Sequence, residues 1–212
     1  MAEKKSVLTD HFEFDLSNTD EIPRLMDEIF NKIGKGNIDE ICLINNAGML
    51  SPIKALDETG AEEIRSNLTI NLIAPLVMTA AFLKLTRAVK SAKKIVNISS
   101  KASRSPRPQW ACYNSSKAGI DNITQTVAIE QGNGDYPVRI ISFYPGPMDT
   151  AMRKENQKTK PLFKRAVEFI KHVLSSRKPT AHHPDFVADK LVAHIGSPEF
   201  GKELFVSFED IE

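Results

Sequence analysis

Tyr113 and Lys117 stand four residues apart at the start of a segment with helical periodicity. That spacing places both side chains on one helix face, a single turn apart. A tyrosine hydroxyl, with a reference pKa of about 10, is a poor acid–base group at neutral pH. A neighbouring ammonium favours the phenolate. At about 4 Å and an effective dielectric near 20, the attraction is roughly 4 kcal/mol, an upper bound of about three pKa units. Tyr113 is therefore a candidate general acid or base. A lone Y-x-x-x-K pair is more often an exposed helix pair of no consequence, but it does not stand alone. Ser100 precedes Tyr113 by thirteen residues, and its hydroxyl can donate to a substrate carbonyl while Tyr113 supplies the proton. Ser99 is its rival, since adjacent strand residues face opposite ways and only one can point to a site. Asn71 lies inside a long helical pattern, where asparagine is mildly unfavourable. In the NNAG run at 45–48, Gly48 lets backbone approach a ligand closely. A second break, PGPMDT, covers residues 145–150.

The elements that must position these residues alternate in type. Residues 11–15 (HFEFD), 39–44 (DEICLI), 94–99 (KIVNIS), 138–144 (VRIISFY) and 204–208 (LFVSF) read as strands. Residues 20–33, 61–89, 113–131 and 184–195 read as helices. Asn18 or Asp20 is the expected cap of the first, and Pro75 should kink or break the second. Strands alternating with helices predict an α/β fold with a mostly parallel sheet. Ligands in such sheets bind at the carboxyl ends of the strands, where NNAG, the serine pair and PGP all fall.

Composition narrows the field. The 212 residues carry 28 Lys+Arg against 27 Asp+Glu, a net charge of +1, so no nucleic-acid partner is expected. Hydrophobic residues make up 41% and charged residues 26%, an ordinary globular balance. Only Cys42 and Cys112 occur, which excludes a disulfide framework and favours a reducing, cytoplasmic setting. No apolar run approaches the roughly 20 residues of a membrane helix, and no membrane association is expected. His182 and His183 lack a third ligand at sensible spacing, so no metal is expected either.

Taken together, NNAG, N-x-x-x-P (Asn71, Pro75), N-I-S-S, Y-x-x-x-K and P-G-x-x-x-T resemble the short-chain dehydrogenase/reductase family, in order and in spacing. The resemblance implies a single domain over 1–212, a Rossmann-like mostly parallel sheet with flanking helices that binds NAD or NADP, with NADP(H) expected over NAD(H). It implies Ser100, Tyr113 and Lys117 as a catalytic triad and Asn71 as its fourth member. Asp15 matches the acidic residue near the adenine, and Asn46, Ala47 and Gly48 the segment over the adenine ribose. Tyr113 and Lys117 also face the cofactor, while Pro145, Gly146, Met148 and Thr150 match the loop around the nicotinamide amide. Residues 152–180, basic through Arg153, Lys154, Lys158, Lys160, Lys164 and Arg165, fall where the family carries a substrate lid. Family members commonly dimerise through the two long helices, here 61–89 and 113–131. L-I-N-N-A-G, N-L-x-A-P, P-G-x-x-D-T and an aromatic three residues before the tyrosine (Trp110) look closest to the benzil reductase and sepiapterin reductase branch. That branch reduces one carbonyl of a vicinal dicarbonyl, a small-molecule carbonyl substrate. Trp110 either stacks on an aromatic substrate or packs the loop before the helix.

The family opens with a strand, T-G-x-x-x-G-x-G, a helix and a second strand. No G-x-x-x-G-x-G can be built from the ten glycines here. An N-terminally truncated domain is therefore expected, without a first βαβ of roughly 30 or more residues. Strand 11–15 would then have no neighbour, strand 39–44 would become an edge, and the pyrophosphate site would be impaired. Two readings follow: a carbonyl reductase whose opening lies outside this sequence, or a catalytically inactive relative serving as an interaction or assembly partner.

Overall fold

Four apolar runs pair side by side into one parallel sheet, in the order β1 (Glu40–Asn45), β2 (Ala92–Ile98), β3 (Val138–Tyr144) and β4 (Phe205–Ser207). The structure, a computed structural model, describes residues 8–34, 38–150 and 181–211. β2 and β3 are buried almost throughout, whereas β1 is half-exposed and forms an edge among the described residues. Their near-continuous Val/Ile content suits strands covered on both faces. Helices α1 (Ile22–Ile33), α3 (Ala74–Leu85) and α4 (Ala111–Gln131) cover one face, packing on Ile95, Val138 and Ile140. On the opposite face, α5 (Pro184–Ile195) packs on Val96, Ile141 and Phe143. Each fully buried side chain of this kind contributes about 1.5–3 kcal/mol of transfer free energy.

A row of polar side chains ties the C-terminal halves of the strands together. Asn45 donates to Asn97 Oδ1 at 2.8 Å and to Thr79 Oγ1 at 3.2 Å. Asn97 donates to Thr124 Oγ1 at 3.0 Å, and Thr124 meets Ser142 Oγ at 2.9 Å. All five side chains are buried, and their mutual bonds leave only Asn45 Oδ1 among them without a partner.

The helical pattern at 61–89 divides into α2 (Ala61–Leu68), a π-helical turn (Thr69–Ile73) and α3. Pro75 lies in the first turn of α3, where its missing N–H and its ring oppose a regular α-helix through the preceding turn. The rod ends at Leu85 rather than residue 89, because Thr86 leaves helical geometry and its hydroxyl donates to the Phe82 carbonyl at 2.8 Å. By length and composition Ala61–Leu85, which contains an 18-residue stretch of mean hydropathy 1.8, meets the requirements for crossing a membrane, which the sequence reading did not anticipate. Its Asn67, Asn71 and Thr79 are buried and hydrogen-bonded within the domain.

Two expectations are corrected. Residues 11–15 form no strand. They run extended with Phe14 and Leu16 packed against the α1–α3 cluster, and the polar–apolar alternation reflects that one-sided packing. With no neighbouring strand, ladder bonds are unavailable to them. Neither Asn18 nor Asp20 caps α1 through its side chain; the helix enters through a 3₁₀ turn (Thr19–Glu21) closed by the Glu21 N–H on the Asn18 carbonyl at 3.0 Å. The lid at 152–180 lies outside the described residues.

Candidate active site

β2 delivers the two serines, and its alternation separates their roles. Ser99 is buried, with Oγ 3.5 Å from the Lys117 carbonyl, so it serves the β2–α4 packing. Ser100 faces the other way, caps the 3₁₀ turn Lys101–Ser103 by accepting from the Ala102 N–H at 3.2 Å, and its hydroxyl acts to lower the Tyr113 phenol pKa. Tyr113, in the first turn of α4, is buried in a small cluster with Leu50 and Ala102, against which Ile53 and Trp110 pack.

Lys117 follows one turn later and is only 5% exposed. Its ammonium donates to the Ile98 carbonyl at 2.7 Å and lies 5.7 Å from the centre of the Tyr113 ring. Burial pushes its pKa down to about 8, with Asp121 opposing. The expectation that Lys117 would depress the Tyr113 phenol is not met. Burial raises that phenol above its ordinary value, opposed by the Ser100 hydrogen bond and then by Arg107. The ammonium is turned to the strand carbonyl and the ring rather than to the hydroxyl.

Asn71, without exposed surface, sits in the π-helical turn. Its Oδ1 accepts from the Met49 N–H at 2.8 Å, and its Nδ2 donates to the Met49 carbonyl at 2.8 Å and to Asn67 Oδ1 at 3.1 Å. Asn71 thus clamps the backbone just after NNAG. A methyl group at Gly48 would stand 3.2 Å from Asn71 Oδ1 and 3.7 Å from Lys117 Nζ, so residue 48 is where backbone, amide and ammonium meet. Ser100, Tyr113, Lys117, Asn71 and Gly48 are brought together around the strand tips.

The loop after β3 begins at Pro145, and Gly146 takes φ +70, a left-handed conformation suited to glycine. Met148 pairs with His182 and packs on the core, and the Thr150 N–H donates to the Met148 carbonyl at 3.1 Å. Asn46 and Ala47 are exposed beyond β1. Asp15 is not joined to the group. It is exposed, its carboxylate accepts from the Ser17 N–H at 2.9 Å, and that bond holds it below the usual carboxylate range. Trp110 packs edge-to-face on Tyr113 at 5.7 Å, with the Arg107 guanidinium 4.9 Å from its ring centre. Burial raises the Cys112 thiol, which favours its protonated form. His183 caps α5 by accepting from the Asp185 N–H at 3.3 Å.

Sequence reasoning missed Asn67, whose Nδ2 donates to the Ser51 carbonyl at 2.7 Å and whose Oδ1 holds Asn71. The available signal was an asparagine one turn before Asn71 in an otherwise apolar stripe.

The parallel sheet with helices on both faces, carrying this cluster at its strand tips, defines a Rossmann-type α/β protein. The chain belongs to the short chain dehydrogenase family, whose model matches residues 2–161. It is 38% identical over 145 residues to a benzil reductase ((S)-benzoin forming) of Bacillus cereus, covering 68% of this chain and 58% of that protein. With the Bacillus subtilis benzil reductase the identity is 35% over 187 residues, 88% of this chain and 75% of the relative. A Xenopus laevis sepiapterin reductase is 30% identical over 158 residues, 72% of this chain and 58% of that protein. The chain thus spans just over half to three quarters of these relatives. Among solved structures, 4-hydroxyisoleucine dehydrogenase complexed with NADH superposes with a TM-score of 0.71 at 24% identity, over 92% of this chain and 75% of that one.

Proposed function

We propose that this chain is an NAD(P)H-dependent oxidoreductase that reduces a carbonyl, with one carbonyl of a vicinal dicarbonyl as the reacting group. The observation that carries this reading is the meeting of Ser100, Tyr113, Lys117 and Asn71 around Gly48. The similarity to benzil and sepiapterin reductases supports this substrate class.

The residues present fit the nicotinamide end of such a cofactor. At Gly48 the absent side chain leaves open a cradle walled by Asn71 and Lys117. Lys117 and residues 145–150 would hold that end, with 46–48 over the adenine ribose and Asp15 towards the adenine. When bound, the cofactor supplies the hydride. The chain's own residues manage the proton and the orientation. Burial keeps Tyr113 protonated at neutral pH, so it can donate its hydroxyl proton to the carbonyl oxygen. Ser100 faces the same phenol and orients the carbonyl by hydrogen bonding. Lys117 remains an ammonium below pH of about 8, is anchored on the Ile98 carbonyl, and would hold the nicotinamide ribose. Trp110 and Leu50 exclude water from one side of Tyr113. NADP(H) is the proposed form over NAD(H). A homodimer through the helices of residues 61–85 and 111–131 is supported by Ile73, Leu76 and Ile129, which are exposed there.

The test is turnover by the purified 212-residue chain with NADPH and, separately, NADH, on benzil and sepiapterin. The expected result is oxidation of NADPH matched by formation of the hydroxyketone from benzil, or of the side-chain diol from sepiapterin, and lost in Tyr113→Phe. Turnover unaffected by Tyr113→Phe would overturn the reading. Absence of both turnover and cofactor binding would favour a non-catalytic interaction partner.

A further inference from the structure

Asp121 continues the stripe of Tyr113 and Lys117 one turn further along α4. It is 6% exposed, an unusual place for a carboxylate, which is costly to bury unless well bonded. Its Oδ2 accepts from Ser103 Oγ at 2.6 Å and from the Tyr144 phenol at 2.7 Å, with Arg104 Nε at 4.0 Å. Its Oδ1 is buried without a hydrogen-bond partner. Each partner belongs to a different part of the site. Ser103 closes the 3₁₀ turn that Ser100 caps, Tyr144 is the last residue of β3 before Pro145 and Gly146, and α4 itself carries Tyr113 and Lys117.

We propose that Asp121 is a positioning residue for this site: one buried carboxylate fastens α4, the turn after Ser100 and the start of the 145–150 loop, and gives Lys117 a counter-charge. The proposal rests on the roles assigned to Lys117 and Tyr113 above. The ionisable groups facing Asp121 are Lys117 from α4, Arg104 from the turn after β2, and Tyr144 from β3. Lys117 is faced by Asp121 and by the Tyr113 ring. Burial drives Lys117 towards the neutral amine, and the Asp121 charge acts the other way. The same carboxylate holds the Tyr144 phenol protonated, after burial. Arg104 lies over the Phe205 ring at 3.9 Å, so its charge is shared between Asp121 and an aromatic face.

The test follows the Lys117 Cε resonance across pH in the full chain labelled with ¹³C-lysine, assigned through Lys117→Arg. The expected midpoint is about 8 in the unaltered protein. In Asp121→Asn it should fall by about one unit or more, while Asp121→Glu should retain it. The high-pH limb of the diketone-reduction rate should move down in step. An unmoved midpoint in Asp121→Asn overturns the proposal. Should that variant not fold, Tyr144→Phe serves: it removes the 2.7 Å donor but keeps the carboxylate, so the Lys117 midpoint should rise, and no movement overturns the proposal. A midpoint that moves in a protein showing no carbonyl turnover upholds the Asp121 coupling and rejects the reductase reading. Turnover with an unmoved midpoint does the reverse.

Discussion

The two ends expected of one cofactor cleft are built very differently. At one end, Tyr113, Lys117 and Asn71 are buried, and Asn71 alone makes three hydrogen bonds. At the other, Asp15 is exposed and its carboxylate bonds within its own turn. The first end is assembled by elements that this chain itself packs: β2, α4 and the π-helical turn. The second lies beside β1, whose outer edge carries no strand among the described residues. Side chains positioned by elements packed on one another are brought together, and the one beside the open edge of β1 is not.

Substitutions at the two ends should therefore behave differently. Ser100→Ala removes the hydroxyl proposed to orient the reacting carbonyl, and kcat for diketone reduction should fall by about 10²–10³ with the fold unchanged. Asn71→Ala leaves the Met49 N–H and carbonyl without their partner, and denaturant unfolding should show a loss of about 2–4 kcal/mol. Retained stability there would mean that the clamp is dispensable. Gly48→Ala puts a methyl 3.2 Å from Asn71 Oδ1, so the cofactor KM should rise about tenfold, roughly 1.4 kcal/mol, with stability little changed.

The pH dependence has two opposite signs. Lys117 titrates at about 8 in the folded chain against an ordinary 10.5, so its charge fades as pH rises through 8 and the reduction rate should decline there. Between those values the unfolded chain binds more protons at this group, so its contribution to stability rises with pH. A rate and an unfolding free energy that rise together above pH 8 would contradict this assignment. The smallest effect is expected at the other end: Asp15→Ala should leave the unfolding midpoint unchanged, because the side chain is exposed.

The sequence was informative where residue type and spacing are sufficient. The i, i+4 relation of Tyr113 and Lys117 and the alternation that separates Ser99 from Ser100 needed only local geometry. The parallel sheet was legible in its β-branched runs, and the break near Pro75 in the proline itself. Residues 11–15 misled because one-sided packing of Phe14 and Leu16 gives the same alternation as a half-buried strand. The phenol pKa was misjudged because the direction of the Lys117 ammonium, towards the Ile98 carbonyl, is a tertiary fact. Asn67, Asp121 and the Asn45–Asn97–Thr124–Ser142 row depend on contacts between distant segments, which spacing does not encode.

The most direct measurement uses a half-cofactor. Reduced nicotinamide mononucleotide carries the nicotinamide, ribose and one phosphate without the adenosine, and so isolates the end assembled here. Titrated against the chain by ligand-observed NMR, it should bind saturably, lose binding in Lys117→Met and keep it in Asp15→Ala. Binding that survives Lys117→Met, or no saturable binding to the unaltered chain, would contradict a nicotinamide site at Lys117.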